Sequence, residues 1–166
     1  QLPNYMKAQE GPEESEWAEL REAQKHALRL ENTGLAVCID VGDGDDLHPK
    51  NKPAVGRRLS LVARALTYGE QIPYSGPVYE GYSMEGNTSG TDASQGFYIA
   101  GPDHKFHAAK AVIEGNTVVV SSAGVRFPVG VRYAWANNPV CNLSNGAGLP
   151  AGPFRTDDWT DGAKRY

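Results

Sequence analysis

Residues Leu35-Ala36-Val37-Cys38-Ile39 form a continuous apolar run set between two segments of helical periodicity. A short run of this kind, rich in β-branched residues, reads as a strand buried on both faces. Flanking helices make a parallel, helix-covered sheet the economical explanation. Upstream, Ser15 is suited to cap a helix, with Glu16 and Glu19 favourably placed in its first turn. Trp17, Leu20, Gln24, Ala27 and Leu28 give that helix a largely apolar face, Arg29 suits its end, and Asn32-Thr33-Gly34 terminate it. Downstream, a second helix is predicted from Asn51 or Pro53 to about Tyr68. Its apolar face is Val55, Leu59, Val62, Ala63 and Leu66, with Arg57, Arg58 and Arg64 at solvated or edge positions and Gly69 as terminator.

From Gln71 onward helical periodicity disappears, and Gly, Pro, Ser, Thr and Tyr become frequent. Strands are expected at 78–82, 96–99, 110–113, 117–121 and 129–135, with Glu114-Gly115-Asn116 turning between the third and fourth. Residues 85–95 are polar and poor in core-forming side chains, which predicts a loop. The division is therefore into residues 1–70, an α/β portion, and residues 71–166, a small β-rich accessory region packed on it.

The 166 residues carry 16 basic and 20 acidic side chains, a formal charge of −4 without long runs. No basic stripe marks a nucleic-acid footprint, and no apolar run is long enough for a transmembrane helix. The opening Gln1-Leu2-Pro3 reads as mid-domain sequence. Two cysteines do not define a disulfide framework. Cys38 is expected as a small buried hydrophobe, and a bridge to Cys141 is disfavoured.

Chemistry concentrates in the loop after the apolar run. Asp45-Asp46-Leu47-His48 places a carboxylate three residues before an imidazole, among Gly42, Gly44 and four aspartates at 40, 43, 45 and 46. Imidazole exchanges protons near neutral pH, and a nearby carboxylate can fix its tautomer and stabilise the imidazolium. Asp45 suits that role if the loop turns back, Asp46 competes for it, and Pro49 restricts His48. A solvent-facing histidine or a divalent-metal site are the rival readings, although the spacing matches no common calcium or zinc motif. His26, His104 and His107 are assigned to surface, loop or strand-edge positions. Ser15, Ser60, Ser83, Ser121 and Ser122 are nucleophile candidates by residue type alone. The Gly-x-Ser-x-Gly elbow, phosphate loops and dinucleotide fingerprints are all absent. The chain reads as half of an active site.

Several segments in the same order extend this reading. Gln1-Leu2-Pro3-Asn4-Tyr5, Trp17-Ala18-Glu19-Leu20-Arg21-Glu22-Ala23-Gln24, Asn32-Thr33-Gly34, His48-Pro49-Lys50-Asn51-Lys52, Val131-Arg132-Tyr133-Ala134-Trp135 and Gly148-Leu149-Pro150-Ala151-Gly152-Pro153-Phe154-Arg155-Thr156-Asp157 resemble the carboxyl-terminal part of sialate O-acetylesterase-like enzymes. Their wider relatives are SGNH-type hydrolases, so the resemblance implies part of a three-layer α/β/α sandwich. It implies hydrolysis of O-acetyl esters on a carbohydrate, sialic acid or a related glycan, with no metal or organic cofactor. His48 matches the general base and Asp45 the acid three residues before it, with Asp46 not cleanly separated. The nucleophilic serine and oxyanion hole are then expected on a companion segment or chain, and secretion or a periplasmic location follows at family level. An acetylxylan esterase and a non-catalytic carbohydrate-binding module are the alternatives. Tyr133 or Trp135 could form a sugar platform or anchor the accessory sheet. Arg155 could clamp a carboxylate of the protein or of an acidic sugar.

Overall fold

The computed structural model describes residues 1–12, 14–83 and 94–159. It is an α/β fold with two principal helices and two sheets. The expected loop at 85–95 lies almost wholly outside the described residues.

Helix α1 spans Glu16–His26 and runs into a short 3₁₀ turn at Ala27–Arg29. Ser15 caps it as expected, accepting from the Ala18 amide and donating to Asn137 Oδ1 at 2.7 Å. The inward face holds only part of the apolar stripe, Trp17 and Gln24, both half-buried. Ala18 and Arg21 are buried on α1, while Leu20 and Leu28 are exposed. Helix α2 spans Lys52–Leu66, with Asn51 as N-cap and Pro53 in its first turn. Its inward stripe is Ala54, Val55, Arg58, Leu61, Val62 and Ala65, leaving Leu59 and Leu66 exposed. Arg58, expected at a solvated or edge position, is buried.

Residues 35–39 do not form a strand. A strand needs a neighbour to complete its ladder, and no described strand pairs with this segment. Its carbonyls are met instead by the amino terminus of Gln1, which donates to Ala36 O, and by Arg58, which donates to Val37 O. Residues 78–82 likewise lack a ladder.

The other predicted β segments of the second half contribute strands, and two that the pattern does not announce, at 106–108 and 154–155, join them. Strands β1 (Phe97–Ala100), β2 (Phe106–Ala108), β5 (Gly130–Tyr133) and β6 (Phe154–Arg155) make an antiparallel sheet in the order β2-β1-β5-β6. Strands β3 (Lys110–Glu114) and β4 (Thr117–Ser121) form a separate hairpin. Its turn places Gly115 at φ +60°, a conformation glycine adopts without a Cβ penalty.

One core cluster unites the two halves of the sequence. Ile39, from the end of the apolar run, packs with Phe97, Ala111, Tyr133, Ala134, Leu143 and Ala151. Tyr133 and Trp135 are 0% and 3% exposed, which removes both as sugar platforms. Simple alternation would send Arg132 and Trp135 to opposite faces. The strand ends at Tyr133, though, and Ala134 takes φ +51°, which breaks the period and brings the Trp135 ring to 5.7 Å from the Arg132 guanidinium. The Arg155 guanidinium lies 4.5 Å from the same Trp135 ring and forms a forked pair with Glu22 of α1 at 2.7 and 3.2 Å. The Arg155 clamp therefore holds a carboxylate of the protein.

Candidate active site

The acid–histidine loop is bolted to the fold at both ends. At its start, Asp40 receives a bidentate contact from Arg58 of α2 at 2.6 and 2.7 Å, and the same guanidinium donates to Val37 O at 2.7 Å. This fork ties the end of the apolar run to the helix that follows the loop. In the middle, Gly42 donates to Asn4 Oδ1 at 2.7 Å. A Cβ on Gly42 would lie 2.0 Å from the Asn4 carbonyl oxygen, so only glycine permits this approach. Asn4 in turn donates to Asn138, and Asn138 donates to Met6 O at 2.6 Å. At its end, Asn51 accepts from Ala54 N and starts α2.

Within this frame the aspartates organise the backbone. Asp43 accepts from the Asp45 amide at 3.0 Å and pairs with Lys50, which holds its carboxyl below the usual carboxylate range. Asp46 accepts from the His48 amide at 2.8 Å and its carboxylate lies 3.2 Å from His48 Nδ1. The backbone bond first, then the side-chain contact, lowers the Asp46 pKa. Thus the ring contact in this structure comes from Asp46, and Asp45 contributes its amide to the neighbouring turn. With Asp46 accepting from Nδ1–H, Nε2 is the nitrogen left for proton exchange. The His48 side chain is 78% exposed, so a reacting group could reach it from outside the described surface.

Ser15 is spent on its cap, and Ser60 donates to Arg57 O within α2. Among the described residues no serine hydroxyl contacts His48, and no group of three His, Cys, Asp or Glu side chains is placed to hold a metal ion. Among the described residues no helix is long and apolar enough to cross a membrane. His104 stacks on Trp159 with ring centroids 3.8 Å apart, and His26 and His107 are exposed. Both cysteines are free thiols, Cys38 buried as expected.

Two arginines that matter were misread or passed over. Arg21 is completely buried, and its guanidinium donates to the carbonyls of Leu2, Pro3, Ala136 and Asn137 at 2.6–3.0 Å. The signal for Arg58 was its register: it falls on the same stripe as Val55 and Val62. Arg21 shares a face with Ala18, a weaker cue.

A solved carbohydrate acetylesterase from Xanthomonas citri superposes on 96% of this chain with a TM-score of 0.87 and 45% sequence identity. The human sialate O-acetylesterase is 30% identical over a 153-residue alignment covering 76% of this chain. This chain is a relative of the carbohydrate and sialate O-acetylesterases. The mouse sialate O-acetylesterase is 42% identical over 55 residues, 30% of the chain. The chain spans 29% of the length of the human relative and 40% of the solved acetylesterase. No family model matches it.

Proposed function

We propose that this chain is the base-bearing part of a carbohydrate O-acetylesterase, acting on acetylated sialic acid or a related acetylated glycan. The observation that carries this reading is an exposed His48 paired with Asp46 in a loop fixed by Arg58 and Asn4, in a chain 45% identical to a carbohydrate acetylesterase. A companion segment or chain supplies the serine and oxyanion donors and completes a three-layer α/β/α hydrolase domain. The exposed Leu20 on α1, Leu28 in the 3₁₀ turn after it and Leu59 and Leu66 on α2, together with the unladdered run at 35–39, suit a surface that such a segment covers. A secreted or periplasmic setting belongs to the same reading.

The serine Oγ attacks the acetyl carbonyl as His48 takes its proton. The tetrahedral intermediate collapses, and His48 returns the proton to the departing sugar hydroxyl. Water then attacks the acyl-enzyme, passing a proton to His48, which returns it to the serine Oγ as the acyl bond breaks and acetate leaves. The orienting carboxylate comes from the Asp45–Asp46 pair, of which Asp46 touches the ring.

The test is acetate release from acetylated sialosides and acetylated xylan by the full enzyme containing this chain. His48→Ala should lower kcat by about 10³-fold, with circular dichroism showing an intact fold. Asp45→Asn and Asp46→Asn in parallel identify the orienting acid as the one with the larger loss. Undiminished turnover without His48 would remove it from the mechanism.

A further inference from the structure

The β-rich half carries an open cleft that the acid–histidine loop does not line. It measures about 340 Å³ and is walled by Gly101, Pro102, Asp103 and His107 on one side and by the 124–127 segment on the other. These are the β1–β2 connection with His107 of β2, and the β4–β5 connection, which emerge together because β1 and β5 pair antiparallel with Ala100 opposite Gly130. We propose that this cleft is a glycan subsite that seats one neutral sugar residue of the polysaccharide chain. The proposal rests on the carbohydrate esterase reading above, and adds to it where the substrate is held apart from its reacting ester.

The chemistry of the walls selects the ligand. Phe127 lines the cleft and is 65% exposed, so a ligand seated there can reach its ring. Its Arg126 neighbour places a guanidinium 5.3 Å from the ring centroid. An aromatic face beside one carboxylate, one guanidinium and one imidazole matches a pyranose, whose C–H groups form an apolar face ringed by hydroxyls. Asp103 uses Oδ1 to accept from the Lys105 amide at 3.2 Å, which fixes the carboxylate and leaves Oδ2 for a sugar hydroxyl. Arg126 and His107 supply donors across the cleft. The carboxylate of Asp103 and the guanidinium of Arg126 balance in charge, which suits a neutral sugar. The volume lies near the lower end of the range for ligand pockets, about 300–1,000 Å³, which suits one sugar ring.

The walls are also preorganised. Val129 N donates to Ala100 O at 2.8 Å, closing the base of the cleft, and His104 N donates to Gly101 O at 2.9 Å. His104 takes φ +58° and is held in that turn by its stack on Trp159. A rigid cleft lowers the ordering cost of binding.

Isothermal titration of the full chain with xylohexaose and cellohexaose, neither acetylated, tests the subsite without any catalysis. 3′-Sialyllactose serves as the acidic probe. At least one neutral oligosaccharide should bind. Phe127→Ala and Asp103→Ala should each weaken it about ten-fold, and His48→Ala should leave it unchanged. Both altered side chains are exposed, and an unchanged thermal midpoint verifies the fold. No binding of either neutral glycan, binding insensitive to both substitutions, or binding of sialyllactose alone would each overturn the proposal. Neutral-glycan binding that depends on Phe127 in an enzyme whose acetate release ignores His48 would sink the catalytic reading and leave the subsite standing.

Discussion

Arg21→Met is the sharpest probe of what holds α1 to the rest of the chain. The guanidinium satisfies four backbone carbonyls, two from the first residues and two from residues 136 and 137. Pro3 O also accepts from Trp17 Nε1 at 2.7 Å, and Asn137 O from the Tyr5 amide at 3.3 Å. Removing the fork therefore orphans two carbonyls, those of Leu2 and Ala136. Each buried polar group left unpaired costs about 1–3 kcal/mol, or about 2–6 kcal/mol for the pair. Methionine also removes a cation whose burial pushes its pKa down to about 10, and this offsets part of the loss. The expected net destabilisation is about 3 kcal/mol. Arg21→Lys should fall between the variant and the parent, because an ammonium is a single point that cannot reach both carbonyls at once. Urea unfolding at pH 7, followed by tryptophan fluorescence, measures both. A loss below about 1 kcal/mol for Arg21→Met, at an unchanged urea slope, would show that the carbonyls find other partners and would refute the reasoning.

Two further outcomes are expected. Tyr133 is buried, and desolvation first, then its Cys141 neighbour, hold its phenol above the usual tyrosine range, while its hydroxyl accepts from the Leu143 amide at 3.0 Å. The folded state keeps this phenol protonated more firmly than the unfolded state, so its contribution is full below about pH 10 and falls as pH rises beyond it; denaturation midpoints from pH 8 to 11 should drop more for the parent than for Tyr133→Phe. Asp157 is fully buried against Arg132, with contacts of 2.8 and 3.0 Å. Asp157→Asn removes the carboxylate charge from this buried pair and should cost about 3 kcal/mol or more, read as a lowered calorimetric midpoint; an unchanged midpoint would show that the pair adds nothing to stability.

Local signals were legible in the residues themselves. Ser15 and Asn51 cap their helices, Pro53 sits in a first turn, and the β3–β4 hairpin folds about Glu114-Gly115-Asn116, because each needs only near neighbours and backbone preferences. The loop bearing His48 was legible for the same reason: its carboxylates and imidazole lie within a few residues of one another. What the pattern could not decide was which side chains face inward and what they meet there. Leu20 and Leu59 look like core residues and are exposed, whereas Arg21 and Arg58 look like surface residues and are buried. The carbonyls that bind Arg21 come from as far as 116 residues along the chain, so no local period announces them. Likewise only the folded loop shows Asp46 against the His48 ring, and only the turn at Ala134 brings Trp135 to Arg132. Sequence determined the two helices and the β3–β4 hairpin through short-range hydrogen bonds and periodicity, but not the course of residues 35–39. Tertiary structure decided burial, because desolvating an arginine is tolerable only where distant backbone or a carboxylate receives its hydrogen bonds.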